Sequence, residues 1–322
     1  MPTRAYLYDA TARDHEVKLD KEVIASLHDQ QVLWIDITAP ETGEIAHLAL
    51  LMHLRRDTLV GLHDDNRRPR FDNYSQYYQF NIDTLEEAGG KYASSKIHFI
   101  LATNIVATIH AQPAAMLVNF DEQVKGDSNL GLLDAPSFLA AMLDWHITGF
   151  FRIIEDVEVR IDRLDALAMQ PRRKRNLLQD LAVLRGRVGT IRRVLTPHRE
   201  VYAAIARPDF QPGVNAESLS SFLLLNDRLT RVIDASENAR ELLVGSYDIF
   251  MTQTAMRTNE VVKVLTLVSA VLFPASLIVS ISALVLHAPV YSIGPIGFWV
   301  MLGLIVAVSM GTLTVARWRK WL

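Results

Sequence analysis

The chain of 322 residues contains no cysteine, which excludes disulfide staples, thiolate metal sites and a cysteine nucleophile. It also lacks a Walker phosphate loop, a nucleophile elbow, an HExxH helix and a glycine-rich dinucleotide loop, so it is not expected to be an enzyme or to hold a resident cofactor. The start, MPTRAYLYDATARDHE, has no basic segment followed by an apolar core, and a secretory signal is not expected. A net charge of −3 gives no footprint for nucleic acid. The absence with the largest consequence lies near the carboxyl end. No Asp, Glu, Lys or Arg occurs between Lys263 and Arg317, although charged residues make up 21% of the chain.

That uncharged window has room for two membrane spans. The first, Val264 to Leu286, reaches roughly 34 Å as a helix, enough for a hydrocarbon core of about 30 Å. The second, Ile296 to Ala316, does the same, and His287 to Pro295 (HAPVYSIGP) breaks helix between them. Both ends of the chain then lie on one side. Arg257 and Lys263 before the first span, and Arg317, Arg319 and Lys320 after the second, put that side in the cytoplasm of a bacterial-type inner (plasma) membrane. The lipid bilayer is therefore one expected partner.

The first 136 residues read as a mixed α+β cytoplasmic domain. Strands are expected at Val32–Ile37, Tyr77–Leu85, Lys96–Thr103 and Ile105–His110, with turns at Gly89-Gly90 and Thr103-Asn104 and an amphipathic helix over Glu44–His53. The charged run His63 to Arg70 reads either as a metal or phosphate site or as a solvated loop entering an edge strand.

From residue 137 the pattern is helical: a hairpin over 137–213, a stalk over 214–263 and the two-span module over 264–322. The hairpin consists of helices over Ser137–Ala168 and Arg172–Ala206, and their charges are complementary: Glu155 to Asp165 is rich in acids and Pro171 to Ala206 in bases. Salt bridges across the hairpin are one reading; a cation store facing a polyanion-binding or membrane-binding patch is the other. The stalk starts near Asn215, a plausible N-cap, and meets no breaker before Pro274. A helix of that length needs copies of itself or the hairpin to pack against. Asp248, Thr252, Ala255, Asn259, Val262, Ser269, Ser276 and Ser280 recur along it at steps of mostly three or four residues. Such a stripe lines a pore if several copies surround an axis, or simply lets helices approach closely.

Several stretches carry a family resemblance: Thr258-Asn259-Glu260-Val261-Val262-Lys263-Val264-Leu265-Thr266, Phe273-Pro274, the terminal Arg319-Lys320-Trp321-Leu322, and upstream Asp36-Ile37-Thr38 and Arg68-Pro69-Arg70. Together they resemble the two-span CorA family of divalent-cation channels over essentially the whole chain. The resemblance implies a funnel-shaped homopentamer whose first span lines the pore. It implies Asp248 as a carboxylate ring, Asn259 as a polar ring, and Leu265 with Phe273 as hydrophobic constrictions, with Thr252, Val262, Ser269, Ser276, Ser280 and Ala283 completing the lining. The transported divalent cation, Zn²⁺ or Mg²⁺, is cargo rather than cofactor.

The chain departs from the family where selectivity is set. The Gly-Met-Asn signature falls by ungapped count on Ala283, Leu284 and Val285. Asn can hydrogen-bond the water shell of an ion as reluctant to dehydrate as Mg²⁺, and Val285 cannot. The outer turn offers only His287 beside Asp248 as a candidate metal ligand, and the positions of the family's regulatory cation site are Gly61 and Leu224. Three functions stay open: a cation pathway of altered selectivity, zinc or another transition metal in the manner of the ZntB-like transporters; Mg²⁺/Co²⁺ uptake with a substitute filter; and a non-conducting sensor or scaffold on the same frame.

Overall fold

The computed structural model describes residues 3–9, 14–28, 30–62, 68–124, 134–169, 177–207, 216–286 and 295–318. These form two compact units, Met1–Ser246 and Tyr247–Leu322. The first unit is built on strands β1 (Thr3–Asp9), β2 (His15–Glu16), β3 (Gln31–Thr38), β4 (Phe71–Asn73), β5 (Tyr78–Ala88), β6 (Lys91–Ala102) and β7 (Ile105–His110). They make one sheet in the order β2-β1-β3-β7-β6-β5-β4. Only β3 and β7 pair in parallel.

Helices cover both faces of the sheet. Alternation along β3 sends Leu33, Ile35 and Ile37 to one face, where they meet Ile105, Ala107 and Ile109 of β7, Ile45 and Leu48 of α2 (Thr42–Met52) and Leu62 of α3 (Arg56–Leu62). A short α1 (Lys21–Ala25) lies beside them. Each leucine or isoleucine side chain among them contributes about 1.5–3 kcal/mol on removal from water. The opposite face holds aromatic rings. Trp34 of β3 meets Phe120 of α4 (Ala115–Val124) edge-on at 6.0 Å, and Phe120 meets Phe138 of α5 (Ala135–Ala168) at 5.5 Å. Burial on both faces is why Val32–Ile37 reads as a nearly unbroken apolar run. Its one carboxylate, Asp36, accepts from the Thr108 hydroxyl and from His110 Nε2, and Trp34 Nε1 donates to the same hydroxyl at 3.0 Å.

All four expected strands and the α2 helix are present, and the turn between β5 and β6 uses Gly89 and Gly90 at φ 59° and 79°. Two consecutive positive φ angles suit glycine best. Of the charged run, residues 63–67 lie outside the described residues; Arg68-Pro69-Arg70 leads into β4, which is indeed the sheet edge.

One helix needs correcting. Over the described residues, the expected Arg172–Ala206 helix is two: α6 (Leu177–Leu195) and α7 (His198–Ile205). Pro197 is the α7 N-cap and has no N–H to offer the carbonyl four residues back, so the ladder breaks there. The hairpin itself is antiparallel: Arg160 of α5 and Arg187 of α6 both reach Glu87, while His146 of α5 meets Tyr202 of α7. Among the described residues no ion pair joins α5 to α6. Among the described residues the α6 arginines reach Glu87 of β5 and, through Arg192, Glu237 of α8 (Ala216–Leu286). The α5 acids are paired by Arg160 in their own helix and by Arg228 of α8.

The hairpin also closes the open edge of β5. Because β4 pairs only with Tyr78 to Phe80, the backbone of Asp83 faces helices instead of a strand. Its N–H donates to His198 Nε2 at 2.8 Å and its carbonyl accepts from His146 Nε2 at 3.1 Å. The Nδ1 of His146 accepts from the Tyr202 hydroxyl at 2.9 Å, and His198 Nδ1 donates to the Leu195 carbonyl at 3.2 Å. Each ring is thus held as a neutral tautomer, and burial pushes the pKa of His146 down to about 3 and that of His198 to about 4.

Candidate cation pathway

Helix α8 has two faces with different fates. In the first unit Ser218, Phe222, Leu225, Leu229, Val232, Ser236, Ala239, Leu243 and Ser246 are buried. They follow one another at alternating steps of four and three, the heptad spacing of a helix that supercoils against its neighbours. Arg228, beside this seam, reaches Asp144 and Thr148 of α5, fixing the helix to the hairpin.

The opposite face is exposed throughout and changes character along its length. Asp227, Arg231, Asp234 and Glu241 give it charge at first; Asp248 is its last carboxylate. Beyond it come Thr252, Ala255, Asn259, Val262, Leu265, Ser269, Phe273, Ser276, Ser280 and Ala283, at steps of three or four and all exposed. Every pore-lining residue named from the sequence is therefore on one stripe of one helix. Leu265 and Phe273 are 64% and 73% exposed, the bulkiest apolar side chains on it.

In the second unit α9 (Pro295–Trp318) lies beside α8, and the side of α8 that meets it is the other one. Leu267, Val271, Pro274, Ala275 and Ile278 are partly covered, and Thr266, Leu267, Ala270 and Val271 line an apolar groove of about 500 Å³ with Val308, Gly311, Thr312, Val315 and Ala316 of α9. At 3.6 residues per turn, those covered positions and the stripe lie on roughly opposite sides of α8. Pro274 remains inside the helix. Proline costs about 3 kcal/mol in the middle of a soluble helix but is tolerated in a membrane helix, where neighbouring groups satisfy the freed carbonyl.

His287 and Lys320 lie outside the described residues. Leu284 and Val285 lie in the last turn of α8, and Ala283 is exposed on the stripe. Of the family's regulatory positions, Gly61 is buried and Leu224 is 57% exposed on α8. Among the described residues of one chain no three His, Asp or Glu converge as a metal site. A carboxylate ring at Asp248 therefore requires several copies. The buried seam that fixes the phase of α8 was not picked out from the sequence, although Phe222, Leu225, Leu229 and Val232 carried its spacing.

Two apolar carboxyl-terminal helices long enough to cross a bilayer, one of them the extension of a long helix with an exposed small and polar stripe, are the pattern of a two-span membrane protein. The chain belongs to the CorA-like Mg²⁺ transporter family, whose description "CorA-like Mg2+ transporter protein" matches residues 29–317. It is a divalent cation transporter of that family and not an enzyme. It is 22% identical over 276 residues to the cobalt/magnesium transport protein CorA of Thermotoga maritima, covering 81% of this chain and 76% of that one. To the protein of the same name from Methanocaldococcus jannaschii it is 21% identical over 323 residues, covering 97% and 98%. The complete structure of the latter, a CorA magnesium transporter, matches with a TM-score of 0.80 at 18% identity over 100% of this chain and 99% of that one. The cytoplasmic domain of ZntB from Vibrio parahaemolyticus shares the fold at a TM-score of 0.62 and 10% identity, covering 80% and 100%.

Proposed function

We propose that the chain forms a homopentamer in the inner membrane, with both termini cytoplasmic, in which the exposed stripe of α8 surrounds a shared axis and conducts divalent cations. The observation that carries this reading is the stripe itself: a helix whose other face is spoken for by its own chain leaves Asp248 to Ala283 uncovered, and only copies of the chain can close them around water. The pathway's selectivity is altered toward zinc or another transition metal. Ala283, Leu284 and Val285 stand where the Gly-Met-Asn filter is expected, so hydrogen bonding to an intact water shell is lost, and Mg²⁺ is the ion that depends on it most. With the cell interior negative, 100 mV drives a divalent ion inward by roughly 4.6 kcal/mol, so passive flow is uptake unless a steep opposing gradient exists.

A second reading, Mg²⁺ or Co²⁺ uptake through a substitute filter, is favoured by what the T. maritima and M. jannaschii relatives are named for. Purified protein in liposomes loaded with ion-sensitive dyes separates the two. Zn²⁺ flux above Mg²⁺ flux supports the first reading, the reverse order the second, and no flux of Zn²⁺, Mg²⁺ or Co²⁺ from intact pentamers removes conduction and leaves a sensor or scaffold. Light scattering in mild detergent that finds a stable monomer or dimer removes the shared pathway. For topology, a reporter fused after Leu322 should be cytoplasmic and a Ser292→Cys variant should be labelled only from outside.

A further inference from the structure

A second site lies in the first unit, away from α8's exposed stripe. Between the open side of β5 and β6 and the last turn of α6 is a pocket of about 680 Å³, within the range of small-molecule sites. Among the described residues its charged lining is one-sided: Arg68, Lys96, Arg192 and Arg193 against the carboxylate of Asp83. Two of these cations are engaged. Lys96 Nζ holds Asp83 at 2.8 Å and Arg192 holds Glu237. Arg68 and Arg193 have no ion pair among the described residues, and both are exposed. The Arg192 Nε–H is buried and, among the described residues, has no hydrogen-bond acceptor.

The last turn of a helix attracts basic residues through its dipole, and that accounts for Arg192 and Arg193. It does not account for the rest. Arg68 enters from the segment before β4 and Lys96 from β6, so three separate parts of the chain bring positive charge to one concavity. Nor does the dipole supply an acceptor for the buried Nε–H of Arg192. An anion with several acceptor oxygens in a compact head suits the exposed Arg68 and Arg193 and, once the Arg192 side chain turns, its Nε–H as well. Guanidinium groups match phosphate oxygens in charge and in fork geometry, which a halide cannot offer, and a phosphate has more acceptor oxygens than a lone carboxylate for several guanidinium groups to share.

We propose that this pocket binds a phosphate-bearing small molecule, its phosphate held by Arg68 and Arg193, with the Arg192 side chain turning to bring its Nε–H to the same anion, in a space large enough for a mononucleotide. Such a site bears on transport because its walls join α6 to β5 and β6 and, through the Arg192–Glu237 pair, to α8, the helix whose other face carries the proposed pathway. It does not depend on which cation is carried.

Calorimetric titration of the full chain in detergent tests it, using ATP without metal, pyrophosphate and inorganic phosphate as separate probes and acetate as a control anion. At least one phosphate-bearing probe should bind with one site per chain and raise the unfolding temperature, and acetate should not. Tight binding of inorganic phosphate alone identifies a free-phosphate site; tighter binding of ATP or pyrophosphate identifies an ester or polyphosphate. Arg68→Ala and Arg193→Ala, both at exposed positions, should each weaken binding at least tenfold while the unliganded unfolding temperature is kept. Arg240→Ala, an exposed arginine of α8 outside the pocket, removes the same charge and should bind like the parent. Absence of binding by all three phosphate probes at millimolar concentration, or equal affinity in Arg68→Ala, Arg193→Ala and Arg240→Ala, overturns the proposal.

Discussion

Replacing His198 with leucine is expected to lower the unfolding temperature of the soluble part by roughly 4–8 °C, from a loss of about 2 kcal/mol spread over a unit of this size. The ring is fully buried and its Nε2 is the acceptor of the Asp83 N–H on the side of β5 that no strand covers. Leucine fills the volume and accepts nothing, so that N–H is left unpaired inside the protein, and so is the Leu195 carbonyl. Circular dichroism of the full chain in detergent reads the temperature. Hydrogen exchange at the Asp83 amide, faster in His198→Leu than in the parent, assigns the loss to this contact rather than to general loosening. An unchanged unfolding temperature would show that the edge of β5 is satisfied in some other way.

The same pair of histidines sets an acid dependence. Their folded pKa values, about 3 for His146 and about 4 for His198, lie below the ordinary value near 6.5 that the unfolded chain has. Between those limits the unfolded chain binds more protons, so stability is fully present above about pH 6.5 and falls as pH drops toward the folded values, by about 1.4 kcal/mol per pH unit for each ring. His110 works in the opposite sense. Burial acts to lower its pKa, but its hydrogen bond to Asp36 and that carboxylate's charge outweigh burial and raise it. Its contribution is therefore complete below pH 6.5 and lost as pH rises through the raised folded value. From pH 5 to 6.5 the slope thus belongs to His146 and His198. Gln at position 198 keeps an acceptor and does not titrate, so His198→Gln should halve that slope at a smaller cost in stability.

Most of the fold was legible because its signals are local. β3 and β7 are apolar runs bounded by turns, Gly89-Gly90 can do little else than turn, and the uncharged window from Val264 to Ala316 has one physical explanation. The break at Thr196-Pro197 was also local but was overridden by the basic periodicity on both sides of it. What could not be read was assembled from distant parts. Asp83 shows nothing special in sequence, yet its backbone recruits His146 and His198 from two helices. The Arg68, Lys96, Arg192 and Arg193 pocket draws on three segments with no common spacing, and Arg187 and Arg192 of α6 pair with Glu87 and with Glu237 of α8, carboxylates that the sequence gives no reason to set beside them. The stripe on α8 was visible as a period; that it is the uncovered face required knowing where Phe222, Leu225 and Leu229 are buried.

The largest effect on transport is expected from Asp248→Asn. Asp248 is the last carboxylate on the exposed stripe before it turns uncharged, and the stripe holds no further acid through Ala283. In a pentamer with this stripe inward, five copies bring their charges within about one Debye length of each other, roughly 8 Å at physiological salt. A ring of that kind raises the local concentration of a divalent cation by about 10–10³-fold, and the water-filled space inside it is poorly screened. Asparagine keeps the size and removes the charge, so dye-reported flux at micromolar cation should fall about tenfold or more. At saturating cation the difference should shrink, since collection is then no longer limiting. A purely structural role makes a different prediction. If Asp248 instead pairs with Arg317 or Lys320 of a neighbouring copy, Asp248→Asn weakens the oligomer and leaves the flux of each surviving pentamer unchanged. Flux and oligomer size measured on the same preparation decide between them: intact pentamers with parental flux at low cation would exclude Asp248 as the element that gathers the ion.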